Sequence, residues 1–270
     1  MNARSSAPSL TLIVSAYNQT DVLAKTLCGI ELQTQFPDEV LVADDGSGPV
    51  TREIIEGWAE RVPFPVRHVW HPDDGFRKTV ILNKALAEVR SDYVVFTDAD
   101  CVPHPAFVAD HRRLAERGFW VQGRRCFVQE PFVPAFDPEH IRLVSWALRG
   151  RIKRAGKGLR LPRPIVFRDT KQRGIIGCNL ACWRVDAEVV NGFDEAYTGW
   201  GIGEDSDFGS RLYHLGIQRK LVYGHAVVFH LNHPMPSRAH LEESQARLEE
   251  TWRTGRVRCQ LGLDQYRSPG

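Results

Sequence analysis

The run Leu10 to Ala16 is almost wholly apolar and stops at Tyr17-Asn18. Helical spacing follows over residues 19–33, with apolar positions at Val22, Leu23, Leu27 and Ile30. The same alternation repeats. A strand is predicted over Glu39–Ala43, ending at Asp44-Asp45-Gly46-Ser47, then a helix over Thr51–Arg61 and a strand over Val66–Trp70. A further helix is predicted over Lys78–Val89, and a strand over Tyr93–Thr97 ending at Asp98-Ala99-Asp100. Strand and helix alternating at this spacing build a parallel sheet covered on both faces. Near-continuous apolar strands fit that burial. The expected class is α/β, with a mostly parallel central sheet and helices on both faces.

Three polar clusters, Tyr17-Asn18, Asp44-Asp45 and Asp98–Asp100, fall just past the C-terminal ends of these strands. Open α/β sheets bind ligands along that edge, so residues more than 80 positions apart should converge there. The second half is less regular. Strands are predicted over Ile175–Trp183, Ile217–Tyr223 and Ala226–Leu231, and helices over Glu204–Leu215 and Arg238–Arg253. Residues 149–173 carry ten Lys or Arg against one acid, Asp169, broken by Gly and Pro. That stretch is expected to be a mobile loop facing an anionic acceptor or membrane surface; a merely solvated loop has the same composition.

The 270 residues suffice for a real core, and a net charge of +2 points to no nucleic-acid partner. None of the six cysteines forms a Cys-x-x-Cys pair, so they read as reduced thiols of a cytoplasmic protein. No signal peptide or membrane-spanning run is seen, which leaves peripheral contact at the inner membrane face, through the basic loop or the last helix.

Asp98 and Asp100, two carboxylates at i and i+2 on a loop, can face one hard cation that bridges the phosphates of a nucleotide diphosphate. His230, at the end of an apolar strand with His233 nearby, would complete a mixed O/N set suited to Mn²⁺. A lone histidine there is equally a packed core residue. Asp44 and Asp45 can accept hydrogen bonds from a base or ribose, or simply shape a turn. Tyr17 can stack on a base, and Arg77 and Lys78 can reach phosphates near a helix N-terminus. In Gly199-Trp200-Gly201-Ile202-Gly203-Glu204-Asp205, glycines admit a ligand, Trp200 offers a platform for a sugar, and the acids open a helix whose dipole favours an ionised carboxylate.

Taken in order, these segments resemble the family 2 glycosyltransferases, which have the GT-A fold. The resemblance covers about residues 10–235. It runs through Ser15-Ala16-Tyr17-Asn18, Asp44–Ser47, Arg77 with Asn83, Asp98-Ala99-Asp100, Gly177-Cys178-Asn179, Gly192–Glu195 and Gly199–Asp205. The last two resemble a galactosyl- and N-acetylgalactosaminyltransferase signature. Gly203 within that signature is shared with only part of the family.

The resemblance implies a single catalytic domain over 10–235, with a nucleotide-binding half (10–103) and an acceptor-binding half (104–235). It is flanked by a tail (1–9) and a C-terminal helix with its tail (236–270). It implies Asp205 as catalytic base with Glu204 beside it. Donor contacts fall on Ala16, Tyr17, Asn18, Asp44, Asp45, Arg77, Asp98, Ala99 and Asp100, and acceptor contacts on Gly177, Asn179, Trp200 and Gly201. Mn²⁺ or Mg²⁺ would lie at Asp98, Asp100 and His230. The activity implied is inverting transfer of a hexose or N-acetylhexosamine from a UDP-sugar to a glycan hydroxyl, as in polysaccharide or lipopolysaccharide assembly. Two other classes stay open: a sugar nucleotidyltransferase, which needs a Gly-rich loop after the first strand where this chain has Tyr17-Asn18-Gln19-Thr20, and a binding module without turnover.

Overall fold

The computed structural model describes residues 7–199, 203–234 and 241–267. Its strands are β1 (Leu10–Ala16), β2 (Glu39–Asp44), β3 (Val66–Trp70), β4 (Tyr93–Asp98), β5 (Cys101–Pro103) and β6 (Phe119–Gln122). They continue as β7 (Arg124–Val128), β8 (Ile152–Lys153), β9 (Ile165–Asp169), β10 (Leu180–Trp183), β11 (Gln218–Tyr223) and β12 (Val227–Leu231). The helices are α1 (Thr20–Glu31), α2 (Pro49–Ala59), α3 (Lys78–Glu88), α4 (Phe107–Leu114), α5 (Leu143–Leu148), α6 (Arg184–Val189), α7 (Glu204–His214) and α8 (Leu241–Thr254).

One sheet runs β3-β2-β1-β4-β10-β6-β11-β9, and a smaller one runs β5-β12-β7-β8. β1 to β4 are mutually parallel; β10 enters antiparallel to both β4 and β6. The two-residue period of β1 explains the layers. Leu10, Leu12 and Val14 pack with Leu23, Leu27, Ile30, Ile55 and Trp58 of α1 and α2. Ile13 points the other way, with Leu41 and Ala43, onto Ile81, Leu82, Ala85 and Leu86 of α3. The sheet is therefore buried on both faces, as its apolar strands require.

The stretch expected as one mobile loop, 149–173, contains β8 and β9 instead. β9 pairs antiparallel with β11, and β8 with β7. Carboxylates elsewhere in the fold hold some of its cations: Arg160 meets Asp110 at 2.5 Å and Arg168 meets Glu116 at 3.1 Å, while Asp169 receives Arg219 at 2.9 Å. The strand expected over Ile175–Trp183 is shorter, because 177–179 form a single 3₁₀ turn before β10. Among the described residues no helix is long and apolar enough to cross a membrane.

Candidate active site

The turns after β1 and β2 lock together. Asn18 takes the left-handed conformation (φ 49°) that asparagine tolerates. Its N–H donates to Ser47 Oγ at 2.8 Å, and its Oδ1 accepts from Gly48 N–H at 3.1 Å. Asp44 is fully buried: its oxygens accept from Ser47 N–H and from His68. Asp45, 5% exposed, accepts from His71 at 2.7 Å and from the Arg77 N–H at 2.9 Å. Both predicted donor contacts thus have a structural task as well, since these hydrogen bonds shape the turn. Ala16 and Ala99 are likewise buried in the frame: Ala16 accepts from Asp45 N–H, and Ala99 N–H is spent on Ser15 O. Tyr17 is the exposed member, 46% accessible, with its hydroxyl donating to Asp73 at 3.1 Å. The Arg77 guanidinium lies by Asp74 and Pro72 O on the rim.

At the end of β4 the two acids part. Asp98 Oδ1 accepts from Ser15 Oγ at 2.6 Å and pairs with Lys78 Nζ at 3.0 Å. Lys78 is the cation that sequence reasoning under-weighted. Burial opposes its charge, but Asp98, Asp205 and Glu204 outweigh that and push its pKa well above the ordinary lysine range. Asp100 instead precedes β5, in the second sheet, where the β12–β5 register sets His230 opposite Cys101. Asp100 Oδ2 lies 3.3 Å from His230 Nε2 and 3.0 Å from His233 Nε2. The predicted metal set divides between two groups of side chains. Asp100, His230 and His233 bring one ligand atom each within 4.8 Å of one another, whereas Asp98 groups with Cys101 and Cys178.

The donor chemistry fits a divalent cation. His230 Nδ1 is 3.2 Å from Asn232 Oδ1, and His233 Nδ1 is 2.8 Å from Pro234 O. Each imidazole can therefore donate through Nδ1 and turn Nε2 toward Asp100, the outer-sphere arrangement typical of ligating histidines. The hydrogen bond to Asp100 raises the His233 pKa to about 9. Burial is the largest influence on Asp100 and would raise it, but the hydrogen bonds from His233 and Cys101 and the charges of His230 and His233 together outweigh it and hold the carboxyl low.

Asp205 approaches from α7. Gly203 (φ +127°) opens that helix in a conformation reserved for glycine, against the Tyr197 ring. Asp205 Oδ2 accepts from Gly177 N–H at 2.7 Å. Lys78, Asp98, Gly177 and Asp205 line one small cavity walled by Phe96, Leu180 and Phe193. The helix position favours an ionised carboxylate, yet burial wins in part: it raises the Asp205 pKa, against the pull of Lys78. Burial and then Asp205 lift Glu204 further, to about 7. Asp207 is fully buried and bonded to Arg211 and Thr251, so it ties α7 to α8 and is not available as a base.

Of the predicted acceptor residues, Asn179 is corrected. It is fully buried, its amide donates to Arg124 O and Ala226 O, and its Oδ1 faces His111 at 3.1 Å, so it fastens the two sheets together. Trp200 and Gly201 lie outside the described residues. Gly177 acts through Asp205, because a Cβ there would stand 2.0 Å from Asp205 Oδ1. Gly177→Ala must therefore displace that carboxylate. We expect a loss of activity on the order of 10²-fold, as for about 1 Å of misplacement, with a melting temperature lowered by a few degrees. Wild-type turnover in that variant would show that the contact is not needed.

Glu204 gives a test by pH. The folded chain holds its proton more tightly than the unfolded one, about 7 against 4.5. Stability from this group is full below about pH 4.5 and is lost as pH rises through about 7. Glu204→Gln removes the cost of the buried charge. It should stabilise the protein by roughly 1–3 kcal/mol near pH 8 and lose that advantage near pH 4. Urea titrations at both pH values would show it; a difference independent of pH would mean an ordinary carboxyl.

Among curated proteins, validoxylamine A glucosyltransferase of Streptomyces hygroscopicus subsp. limoneus is 29% identical over 80% of this chain and 50% of its own length. Chondroitin synthase of Escherichia coli is 28% identical over 83% of this chain and 35% of its own. Hyaluronan synthase of Pasteurella multocida is 27% identical over 80% and 24%. The chain thus spans half or less of these relatives. In fold it resembles the mannosyltransferase PcManGT from Pyrobaculum calidifontis, solved with GDP-Man and Mn²⁺ (TM-score 0.57, 23% identity, 93% of this chain and 61% of that one). It also resembles S. aureus TarS (TM-score 0.65, 15% identity, 96% and 41%). The α/β architecture described above is the GT-A fold. Residues 166–234 match a family model described as the N-terminal domain of galactosyltransferase. Residues 11–175, more than half the chain, match the model for glycosyl transferase family 2, and the protein belongs to that family.

Proposed function

We propose that the chain is a metal-dependent glycosyltransferase that inverts the anomeric centre, moving a hexose or N-acetylhexosamine from a UDP-sugar to a glycan hydroxyl. The observation that carries this is one carboxylate, Asp205, held by the Gly177 N–H in the same cavity as the Lys78–Asp98 pair. The relatives' names, which include a glucosyltransferase and two polysaccharide synthases, support the reaction class.

Asp205 removes the proton from the acceptor hydroxyl as its oxygen attacks the anomeric carbon. A carboxyl whose pKa is raised by burial is a better match to that task than an exposed one. Lys78 stands by Asp98 to offset charge in the cleft. Tyr17, exposed beside the Asn18–Ser47 clasp, offers its ring to the base, and Arg77 stands on the same rim. Asp100, His230 and His233 would hold Mn²⁺ or Mg²⁺, which when bound neutralises the charge that develops on the departing diphosphate. A single base and no second carboxylate assigned as nucleophile favour inversion. The test is a panel of nucleotide sugars, each scored for release of its own nucleoside diphosphate, with and without Mn²⁺. Release only from UDP-sugars is expected, and release from none, with intact UDP binding, would leave a binding module.

A further inference from the structure

Arg160, Arg168 and Arg219 are paired with carboxylates, but four other cations of the second half gather without one. Arg124 and Arg125 open β7; Arg154 and Lys157 come from the turn after β8. Among the described residues none of the four has a carboxylate within ion-pair distance. Arg125 Nη1 reaches Cys178 Sγ at 3.4 Å, one residue from the glycine that holds Asp205. The guanidinium groups of Arg125 and Arg154 lie over Phe127, at 5.1 and 5.2 Å from its centroid, and that ring stands 5.3 Å from His230.

Arg154 achieves this with φ 55°, a backbone conformation costly for a residue with a Cβ. Arg124 stacks on Tyr223 at 4.0 Å and donates to its hydroxyl, while its buried Nε has no partner. Burial and then Arg124, Arg154 and Arg125 depress the Lys157 pKa, so the four charges feel one another. From 141 to 168 the chain has nine Lys or Arg and no acid to offset them. Strained, mutually repelling cations beside a cleft are matched by an anion from outside.

We propose that Arg124, Arg125, Arg154 and Lys157 form an anion site flanking the catalytic cleft, which takes a carboxylate or phosphate of the acceptor glycan and makes the natural acceptor an acidic polymer. This rests on the glycosyltransferase reading above.

The test uses the full chain and its Arg154→Glu/Lys157→Glu variant, with binding measured by calorimetry. The probes are a uronate-containing tetrasaccharide, its carboxyl-reduced counterpart, a glycerol phosphate oligomer, phosphatidylglycerol vesicles, and UDP with Mn²⁺. The wild type should bind one acidic oligomer at least about tenfold more tightly than the neutral tetrasaccharide, with a preference that fades as salt rises. Which oligomer wins separates carboxylate from phosphate. The variant should lose that preference while its UDP affinity and melting temperature hold, and Arg154→Lys/Lys157→Arg should regain it. Equal binding of acidic and neutral oligomers overturns the proposal. So does loss of UDP binding in the variant, which would make the cluster a donor phosphate site, or loss of vesicle binding alone, which would make it a membrane contact. A chain that binds the acidic oligomer but releases no UDP sinks the transferase reading and spares this one. Full turnover on a neutral acceptor does the reverse.

Discussion

Asp205→Asn is expected to lower kcat by about 10²–10⁴-fold, the usual contribution of a positioned general base, while UDP affinity stays within a few-fold of the wild type. The amide keeps the shape of the carboxylate and can still accept from Gly177 N–H, so the local fold should survive. What it loses is basicity. The base lies across the cavity from Asp98 and outside the Asp100, His230 and His233 cluster, which is why donor binding should be spared. In the wild type the raised Asp205 carboxyl must lose its proton to act, so kcat/KM should rise with pH through that ionisation. The variant should lack this limb. Glu204 is the competing base, since it is adjacent and lifted to about 7. Near-normal kcat in Asp205→Asn would assign the role to Glu204. Loss of UDP binding together with turnover would make Asp205 a structural residue.

The first four strands were legible because each is buried on both faces and so written as an apolar run, punctuated by Asp, Asn and Gly at the ligand edge. The elements between 101 and 170 were not. β5 and β8 have three and two residues, too few to show a period. β9 lies at the sheet edge, leaves Ile165 and Phe167 exposed and is embedded in an Arg-rich stretch, so it reads as part of a loop. The site divides in the same way. Asp205, Asp98, Asp100 and His230 carry chemistry that a sequence displays, and all four lie along one edge of the fold. Which of them share a cluster depends on the β12–β5 register, a pairing across more than 120 residues that no local pattern encodes. The same limit applies to Asn179, a polar residue at a predicted ligand edge that was spent on holding two sheets together, and to Lys78, whose carboxylate partners come from β4 and α7.

Removing the divalent cation should abolish turnover, and the ligand assignment makes that expectation specific. Charge stabilisation by a bound cation is worth several kcal/mol, so chelation should lower the rate by on the order of 10³-fold or more. Asp100→Asn and His233→Ala should each weaken direct Mn²⁺ binding at least about tenfold, because both residues supply atoms to the three-membered cluster. Asp98→Asn should behave differently. Its carboxylate is engaged by Lys78 and Ser15, so its loss should leave Mn²⁺ affinity within a few-fold and damage donor binding or turnover instead. Calorimetric or paramagnetic-resonance titration of Mn²⁺, run on all three variants, separates the two roles. Asn232→Ala adds a finer probe: it removes the acceptor that orients His230 and should cost about 10-fold in metal affinity. Should Asp98→Asn lose the metal as completely as Asp100→Asn, the ligand set would be the Asp-x-Asp pair after all. The Lys78–Asp98 contact would then have to open before the cation binds.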